Sequence, residues 1–186
     1  MYISVRILGI DPGSVVTGFG VVEKTGNKFS LVEYGVIEAK REYSSLEHRL
    51  KIIYERLQQV ILRTTPDEAA LELLFFFKNP QSLLKLSHAR GVAMLSAATS
   101  NLPISEYSAL EIKKSVTGKG RASKEQVQYM VKSMLSIKEN PSFFDATDAL
   151  AIAICHGLKS NAPESSSRSW KDFVAQNPDR IKKFSP

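Results

Sequence analysis

Four acidic side chains interrupt apolar stretches of this chain at positions where hydrophobic residues would be expected. Asp11 ends the apolar segment 7–10, and Glu72 is the one charge in the interior of the apolar segment 68–73. Asp145 and Asp148 stand three residues apart among phenylalanine, alanine and leucine. Because an unpaired buried charge is costly, each of these carboxylates needs a partner. Four carboxylates in apolar surroundings therefore favour a role as metal ligands.

Carboxylates that meet at one place indicate divalent-cation chemistry. Acids packed together repel one another and take up protons unless a cation neutralises them. Mg²⁺ prefers oxygen ligands, and two such ions roughly 4 Å apart activate a water and stabilise the leaving oxygen in phosphodiester hydrolysis. We therefore predict a site for a pair of Mg²⁺ ions, with Mn²⁺ as an alternative.

Each acid has a simpler explanation when it is taken alone. Asp11 is of a residue type that caps turns. Acids are also common in first helical turns, where they complement the helix dipole, and this would account for Asp145 and Asp148. The combination favours a shared site, because strand ends and a late helix start meet at one edge of an α/β sheet.

A sheet flanked by helices is predicted to position the acids. Alternating apolar residues predict five strands, at 3–10, 18–24, 28–39, 68–73 and 103–107. Apolar residues at helical spacing predict five helices, at about 44–65, 81–99, 108–116, 123–135 and 141–154. This order predicts an α/β fold with a mixed five-stranded sheet, in which an antiparallel meander precedes parallel strands and helices cover both faces.

Capping boxes mark three of the helix starts. In this motif a serine and a glutamate or glutamine three residues later satisfy free backbone amides at the helix start. The pairs are Ser44 with Glu47, Ser108 with Glu111, and Ser123 with Gln126. Pro141 marks the start of the last helix, because proline is favoured in a first helical turn.

Positive charge is concentrated in two segments. The chain carries a net charge of +6 with a pI near 9.4, which favours a polyanionic partner. Seven cations face three anions between residues 110 and 140. Glycines 118 and 120 lie within a basic loop made by Lys113, Lys114, Lys119, Arg121 and Lys124. Such a loop can follow phosphates, although a charge run is more often a solvated face.

Length and composition indicate one domain with a tail. At 186 residues and 43% hydrophobic, the chain supports a single core, which we place at 1–158, followed by a basic, partly flexible tail at 159–186. The first ten residues predict a strand rather than a signal peptide, and no apolar run approaches the roughly 20 residues of a membrane span. The single Cys155 lacks zinc-site partners and favours a soluble protein in a reducing cytoplasm.

Several segments carry a family resemblance in the right order. They are LGIDPGS at 8–14 with TGFG at 17–20, LE at 71–72 followed by Phe75 and KN at 78–79, LKL at 84–86 with ARG at 89–91, and DATDALAIA at 145–153. Together they resemble the RuvC Holliday-junction resolvases of the RNase H-like nuclease superfamily. The likeness runs almost without interruption from residue 7 to residue 156.

The resemblance implies an RNase H-like fold and a homodimer that binds a four-way DNA junction. Such an enzyme nicks two strands of like polarity symmetrically and leaves ligatable ends, in recombination and repair. Asp11, Glu72, Asp145 and Asp148 match the metal-binding acids of the family. The resemblance assigns Asp11 and Glu72 to holding or bridging the ions, and the late pair to completing the cage and orienting the attacking water. A branch-migration motor complex is a further candidate partner.

DNA contacts are implied by the same resemblance. Phe75, with Phe76 and Phe77 beside it, matches an aromatic residue that stacks on junction bases or wedges between them. Lys113 and Lys124 match basic residues that lie by the active site and contact DNA. The predicted DNA-binding set is completed by Lys78, Lys114, Lys119 and Arg121.

The helix at 81–99 is expected to form the two-fold contact of the dimer. A self-complementary helix surface suits such a contact, but the same leucines and small residues would serve an ordinary buried helix. The three histidines, His48, His88 and His156, are expected to be structural or surface residues. His156 lies two helical turns beyond Asp148, and an approach of its ring to the acids is the alternative to a structural role.

Other function classes fit parts of the pattern. A non-catalytic junction- or RNA-binding module of the same fold would have lost an acid, whereas all four are present. An actin-like ATPase or sugar kinase needs a second copy of the fold, which 186 residues cannot supply. An RNase H-like nuclease that trims ribosomal RNA precursors shares the chemistry, and only substrate assays separate it decisively. The basic loop and Phe75 favour the junction.

Overall fold

A computed structural model describes residues 4–42, 45–74, 80–138 and 144–160. Phe75, Phe76, Phe77 and Lys78 lie outside the described residues, as does the segment 161–186. The aromatic wedge, the Lys78 contact and the tail therefore stay predictions.

The sheet has five strands in the order β3-β2-β1-β4-β5. Their bounds are β1 Ser4–Asp11, β2 Thr17–Thr25, β3 Lys28–Ile37, β4 Glu68–Glu72 and β5 Ile104–Tyr107. The first three strands pair antiparallel, and β4 pairs parallel with both β1 and β5. The predicted mixed sheet, with a meander followed by parallel strands, is confirmed.

Six helices are present in the described residues, one more than predicted. Their bounds are α1 Ala39–Glu42, α2 Leu46–Thr64, α3 Pro80–Thr99, α4 Ala109–Thr117, α5 Lys124–Leu135 and α6 Phe144–Lys159. The capping boxes predicted for α4 and α5 are confirmed. The N-cap residue of α2 is Ser45, whereas the predicted cap Ser44 lies outside the described residues. None of the helices described is long and apolar enough to cross a membrane.

Two boundaries differ from the prediction for identifiable reasons. The third strand was predicted to reach residue 39 but ends at Ile37, because Ala39 is buried in the short helix α1. The amide of Lys40 there donates to the carbonyl of Val15, which ties α1 to the turn after β1. The last helix extends to Lys159 rather than 154, since its residues remain buried as far as Gly157.

Helices cover both faces of the sheet and create two cores. On one face α6 packs against β1 and β2 together with α4 and α5, around Ile7, Val22 and Leu150. On the other face α2 and α3 enclose Leu8, Ile10 and Leu71. Because side chains alternate along a strand, Asp11 and Glu72 fall on the α6 face of the sheet. The helix that carries Asp145 and Asp148 therefore lies over the strands that carry the other two acids.

Two glycines on the sheet let α6 approach it closely. A Cβ atom on Gly9 would lie 2.0 Å from the carbonyl oxygen of Ala149, and one on Gly18 would lie 2.0 Å from that of Asp145. Both separations are far below van der Waals contact, so no other residue fits at either position without moving the helix. The backbone of α6 therefore rests directly on β1 and β2, which fixes the height of its acids above the sheet.

Candidate active site

One cavity collects acids from three elements. Asp11 at the end of β1, Glu72 at the end of β4 and Asp148 in α6 line a space of about 300 Å³. Lys113 and Lys124 line the same cavity. Its remaining wall is apolar and consists of Ala109, Ile112, Val127 and Ile152.

The strand register explains why Asp11 and Glu72 meet. Ile10 of β1 pairs with Leu71 of β4 in a parallel ladder, so the next residue of each strand emerges at the same edge. Asp145 lies one turn before Asp148 on α6 but does not line the cavity. Its charge nevertheless raises the pKa of both Asp11 and Asp148, so the structure places it beside the other acids.

Burial and mutual repulsion make these carboxyls hard to ionise. Burial, with the added charges of Asp148, Glu72 and Asp145, raises the pKa of Asp11 to about 8. Burial and the Asp148 charge raise the pKa of Glu72 as well. Burial also raises the pKa of Asp148, against the opposing pull of the Lys124 ammonium. Carboxyls in this condition bind a proton or a cation readily.

The donor set fits a hard divalent cation. Carboxylate oxygens are the ligands that Mg²⁺ and Mn²⁺ prefer, and all four candidate ligands supply them. Within the described part of the chain, no three acidic, histidine or cysteine side chains form a ready-made metal cage. Asp11, Glu72 and Asp148 line the same cavity, and Asp148 makes an ion pair with Lys124 at 3.3 Å.

The basic residues divide into two groups. Lys113 and Lys124 reach the cavity of the acids, and the acids Asp148, Asp11 and Asp145 raise the pKa of Lys124, Asp148 the most. Lys114 in the last turn of α4, and Lys119 and Arg121 between α4 and α5, are exposed and do not line the cavity. Gly118 caps α4 with a φ of 74°, a left-handed conformation that glycine adopts without strain. This turn brings Lys124, the first residue of α5, back toward the acids.

The turn after Asp11 is fixed by Thr17, which belongs to the TGFG segment, and by Arg49, for which no pattern in the sequence predicted a role. The buried Thr17 hydroxyl donates to the carbonyl of Gly13 at 2.7 Å and accepts from its amide at 3.2 Å. Arg49 of α2 donates to the carbonyl of Ser14 at 3.1 Å. The signal available in the sequence was a threonine between two glycine-containing segments, 9–13 and 18–20.

Arg90 of α3 supports the strand end that carries Glu72. Its guanidinium donates to the main-chain carbonyl of Glu72 at 3.4 Å and forms an ion pair with Glu106 of β5. The signal in the sequence was an arginine close to Ala89 and Ala93, two of the four buried residues of this helix. Burial of a charge at such a position indicates a specific partner.

His156 does not contact the acids of the cavity. It is buried and hydrogen-bonds to Tyr107 and to Glu68, which lies at the opposite end of β4 from Glu72. The prediction that His156 is structural agrees with these contacts, whereas its suggested approach to the acids does not occur.

Comparison with known proteins gives the family. The model of the family described as crossover junction endodeoxyribonuclease RuvC matches residues 7–156, which is most of the chain. This chain belongs to the RuvC family. The matched range contains all four acids and both cavity lysines, so the cavity lies entirely within the family region.

Relatives within the RuvC family are similar over nearly their full length. The crossover junction endodeoxyribonuclease RuvC of Bacteroides fragilis is 45% identical over 180 residues, covering 95% of each chain. That of Thermotoga maritima is 48% identical over 159 residues, covering 86% of this chain and 94% of its own.

Solved structures agree with the RuvC fold. The structure of T. thermophilus RuvC in complex with Holliday junction substrate has a TM-score of 0.78 at 31% identity, covering 84% of this chain and 94% of that one. The yeast mitochondrial Holliday junction resolvase Ydc2 has a TM-score of 0.61 at 13% identity, a likeness of fold alone. The predicted RNase H-like fold is confirmed.

Proposed function

We propose that this RuvC-family protein is a DNA endonuclease that resolves four-way junctions by paired, symmetric nicks, with Mg²⁺ or Mn²⁺ held by Asp11, Glu72, Asp145 and Asp148. The observation that carries the proposal is the single cavity shared by Asp11, Glu72 and Asp148 with two lysines. Acids with raised pKa values make a cation site, and lysines at its rim attract a phosphodiester. Membership of the family supplies the substrate class.

The residues have distinct roles in this proposal. Asp11 and Glu72 would hold metal from the sheet, while Asp148 and Asp145 would hold it from α6. When bound, the ions supply an activated water and positive charge for the leaving oxygen. Lys124 offsets the charge of Asp148 at 3.3 Å, and Lys113 attracts the phosphate backbone to the cavity. The exposed Lys114 at the end of α4, with Lys119 and Arg121 on the turn that follows, extends this positive surface.

A homodimer accounts for the pairing of the nicks. One face of α3 is exposed along its whole length and follows the spacing of a helix interface, with Leu84, His88, Gly91, Leu95 and Ala98. The two leucines are 60% and 53% exposed, so a second copy seated on this face would bury apolar area. A two-fold axis through this face would place one acid-lined cavity at each of two DNA strands of like polarity. We place this dimer in the cytoplasm, with a branch-migration motor as a further partner.

Cleavage of defined substrates tests the proposed function. A synthetic four-way junction, a linear duplex of matched sequence and a ribosomal RNA precursor are each incubated with the protein, with and without Mg²⁺. We expect paired nicks in the junction in the presence of Mg²⁺ and little cutting of the other two. Equal cutting of junction and duplex would reject junction selectivity, and preferred cutting of the RNA would favour the alternative nuclease.

Replacing either cavity lysine should weaken junction binding without unfolding the protein. Lys124→Ala also removes the cation that lowers the pKa of Asp148, so we expect cleavage to fall about tenfold or more. Lys113→Ala should chiefly weaken binding, and each lost phosphate contact should reduce the salt slope of the affinity by about one.

Binding titrations at several salt concentrations, with thermal melts, measure both lysine effects. Lys51→Ala on α2 is the matched control, because that lysine is exposed and pairs with Glu55 away from the cavity. Wild-type affinity and cleavage in both cavity variants would remove these lysines from the site.

A further inference from the structure

A hydrogen-bonded chain centred on the buried His156 joins three elements at the end of α6 remote from the acids. The Nδ1 atom of His156 lies 2.7 Å from the Tyr107 hydroxyl, and its Nε2 atom lies 2.5 Å from a carboxylate oxygen of Glu68. His156 belongs to α6, Glu68 to β4 and Tyr107 to β5. His156 itself is only 6% exposed, so the imidazole at the centre of the chain is shielded from competing water, while the Glu68 side chain is 33% exposed. We call these three residues the His156 clamp.

The chemistry of the His156 clamp leaves little freedom to its members. An ionised carboxylate only accepts hydrogen bonds, so Nε2 of His156 donates to Glu68. In the neutral imidazole Nδ1 then accepts, and the Tyr107 hydroxyl donates to it. Both ring nitrogens are satisfied, and a satisfied buried network holds its side chains in a single arrangement.

Neighbouring contacts reinforce the same end of α6. The Lys24 ammonium of β2 donates to the main-chain carbonyl of Gly157, the residue after His156. Lys159, in the last turn of α6, forms an ion pair with Glu111 of α4 at 2.5 Å. The carboxyl-terminal half of α6 is therefore tied to the sheet and to α4 by polar contacts.

The clamp and the cavity lie at matching distances along the two elements they share. His156 lies two helical turns beyond Asp148, about 12 Å along the axis of α6. Glu68 lies at the other end of β4 from Glu72, about 13 Å along the strand. The helix runs opposite to the strand, so a bond between His156 and Glu68 sets Asp148 opposite Glu72.

We propose that His156 is a positioning residue for the metal site, acting with Glu68 and Tyr107. The glycine contacts fix the distance of α6 from β1 and β2, and the His156 clamp fixes its register against β4 and β5. Tyr107 strengthens this link, because its own carbonyl accepts from the amide of Leu73, next to Glu72. The inference rests on the proposed metal site and adds a remote determinant of its affinity.

Direct metal binding tests the clamp independently of cleavage. Mn²⁺ is titrated into the full chain and the free ion is followed by electron paramagnetic resonance, for wild type, His156→Phe, Tyr107→Phe and Glu68→Gln. His156→Phe keeps the ring but removes both hydrogen bonds, so we expect Mn²⁺ affinity about tenfold lower, the lower end for residues that orient metal ligands. Tyr107→Phe should weaken it less, and Glu68→Gln, whose amide oxygen still accepts, should stay near wild type.

A matched control separates register from stability. Ile53→Val removes a methyl group from the other core, remote from α6, and is expected to lower stability without touching the clamp. Thermal melts of this variant and of the clamp variants allow Mn²⁺ affinities to be compared at equal stability. Unchanged Mn²⁺ affinity in His156→Phe, or an equal loss in Ile53→Val at equal stability, would overturn the proposal. If His156→Phe fails to fold, Tyr107→Phe decides the outcome. Absence of Mn²⁺ binding in wild type would instead overturn the metal site itself.

Discussion

Glu72→Gln is expected to abolish strand cleavage while junction binding persists. The amide keeps the size of the side chain but loses the charge that binds a cation, and we expect a rate loss of about 10³-fold or more. Folding should not suffer, because burial already disfavours the ionised form of Glu72 and raises its pKa. Single-turnover cleavage in Mg²⁺, with junction binding measured in Ca²⁺, separates the two effects.

The same chemical change at a remote site is the control for Glu72→Gln. Glu55→Gln on α2 removes an exposed carboxylate that pairs with Lys51 at 3.7 Å. It should cleave at the wild-type rate. Full activity in Glu72→Gln would disprove the metal assignment, whatever the family of the chain.

Asp11→Asn is expected to stabilise the metal-free protein while destroying its activity. The pKa of Asp11 is about 8 in the folded chain and near 3.8 in the unfolded chain, so the folded state holds the proton more tightly. Between these values the unfolded chain ionises first, and ionisation of Asp11 therefore costs folding stability as the pH rises. Asparagine cannot ionise, so the free energy of unfolding of Asp11→Asn rises relative to that of wild type from pH 4 upward, and the difference is complete above pH 8.

The size of this effect is measurable by thermal or urea unfolding. We expect Asp11→Asn to raise the free energy of unfolding by about 1–3 kcal/mol at pH 8 and above, since water in the open cavity moderates the cost of the charge. Unfolding in a chelator from pH 5 to pH 9 tests the sign, and Glu55→Gln should show no such trend. A gain that shrinks as the pH rises would contradict the burial of the Asp11 charge.

The acids were predictable because each one breaks a local pattern. A carboxylate at the end of an apolar strand, as at Asp11, or near the end of a short one, as at Glu72, stands out without any structure. Asp145 and Asp148 were predicted to share a face, yet only Asp148 lines the cavity. The rotation of α6 about its axis decides this difference, and that rotation is set by packing against Gly9 and Gly18.

The supporting contacts were not predictable, because their partners are distant in the chain. His156 and Glu68 are separated by 88 residues, and periodicity does not tell which polar groups will meet inside a fold. The short helix α1 was missed for a related reason. Four residues form too short a helix to be stable alone, and a contact from Lys40 to Val15 holds it in place.

The close seating of α6 on the sheet has a consequence for how the enzyme can respond to DNA. Every residue from Ala149 to Gly157 is buried, and the backbone of the helix touches the strands at Gly9 and Gly18. Such a helix cannot swing like a lid, and its amides should exchange hydrogen with solvent only when the whole domain opens. Any movement that accommodates DNA is therefore expected in the exposed turn between α4 and α5, while the acids of α6 keep fixed positions.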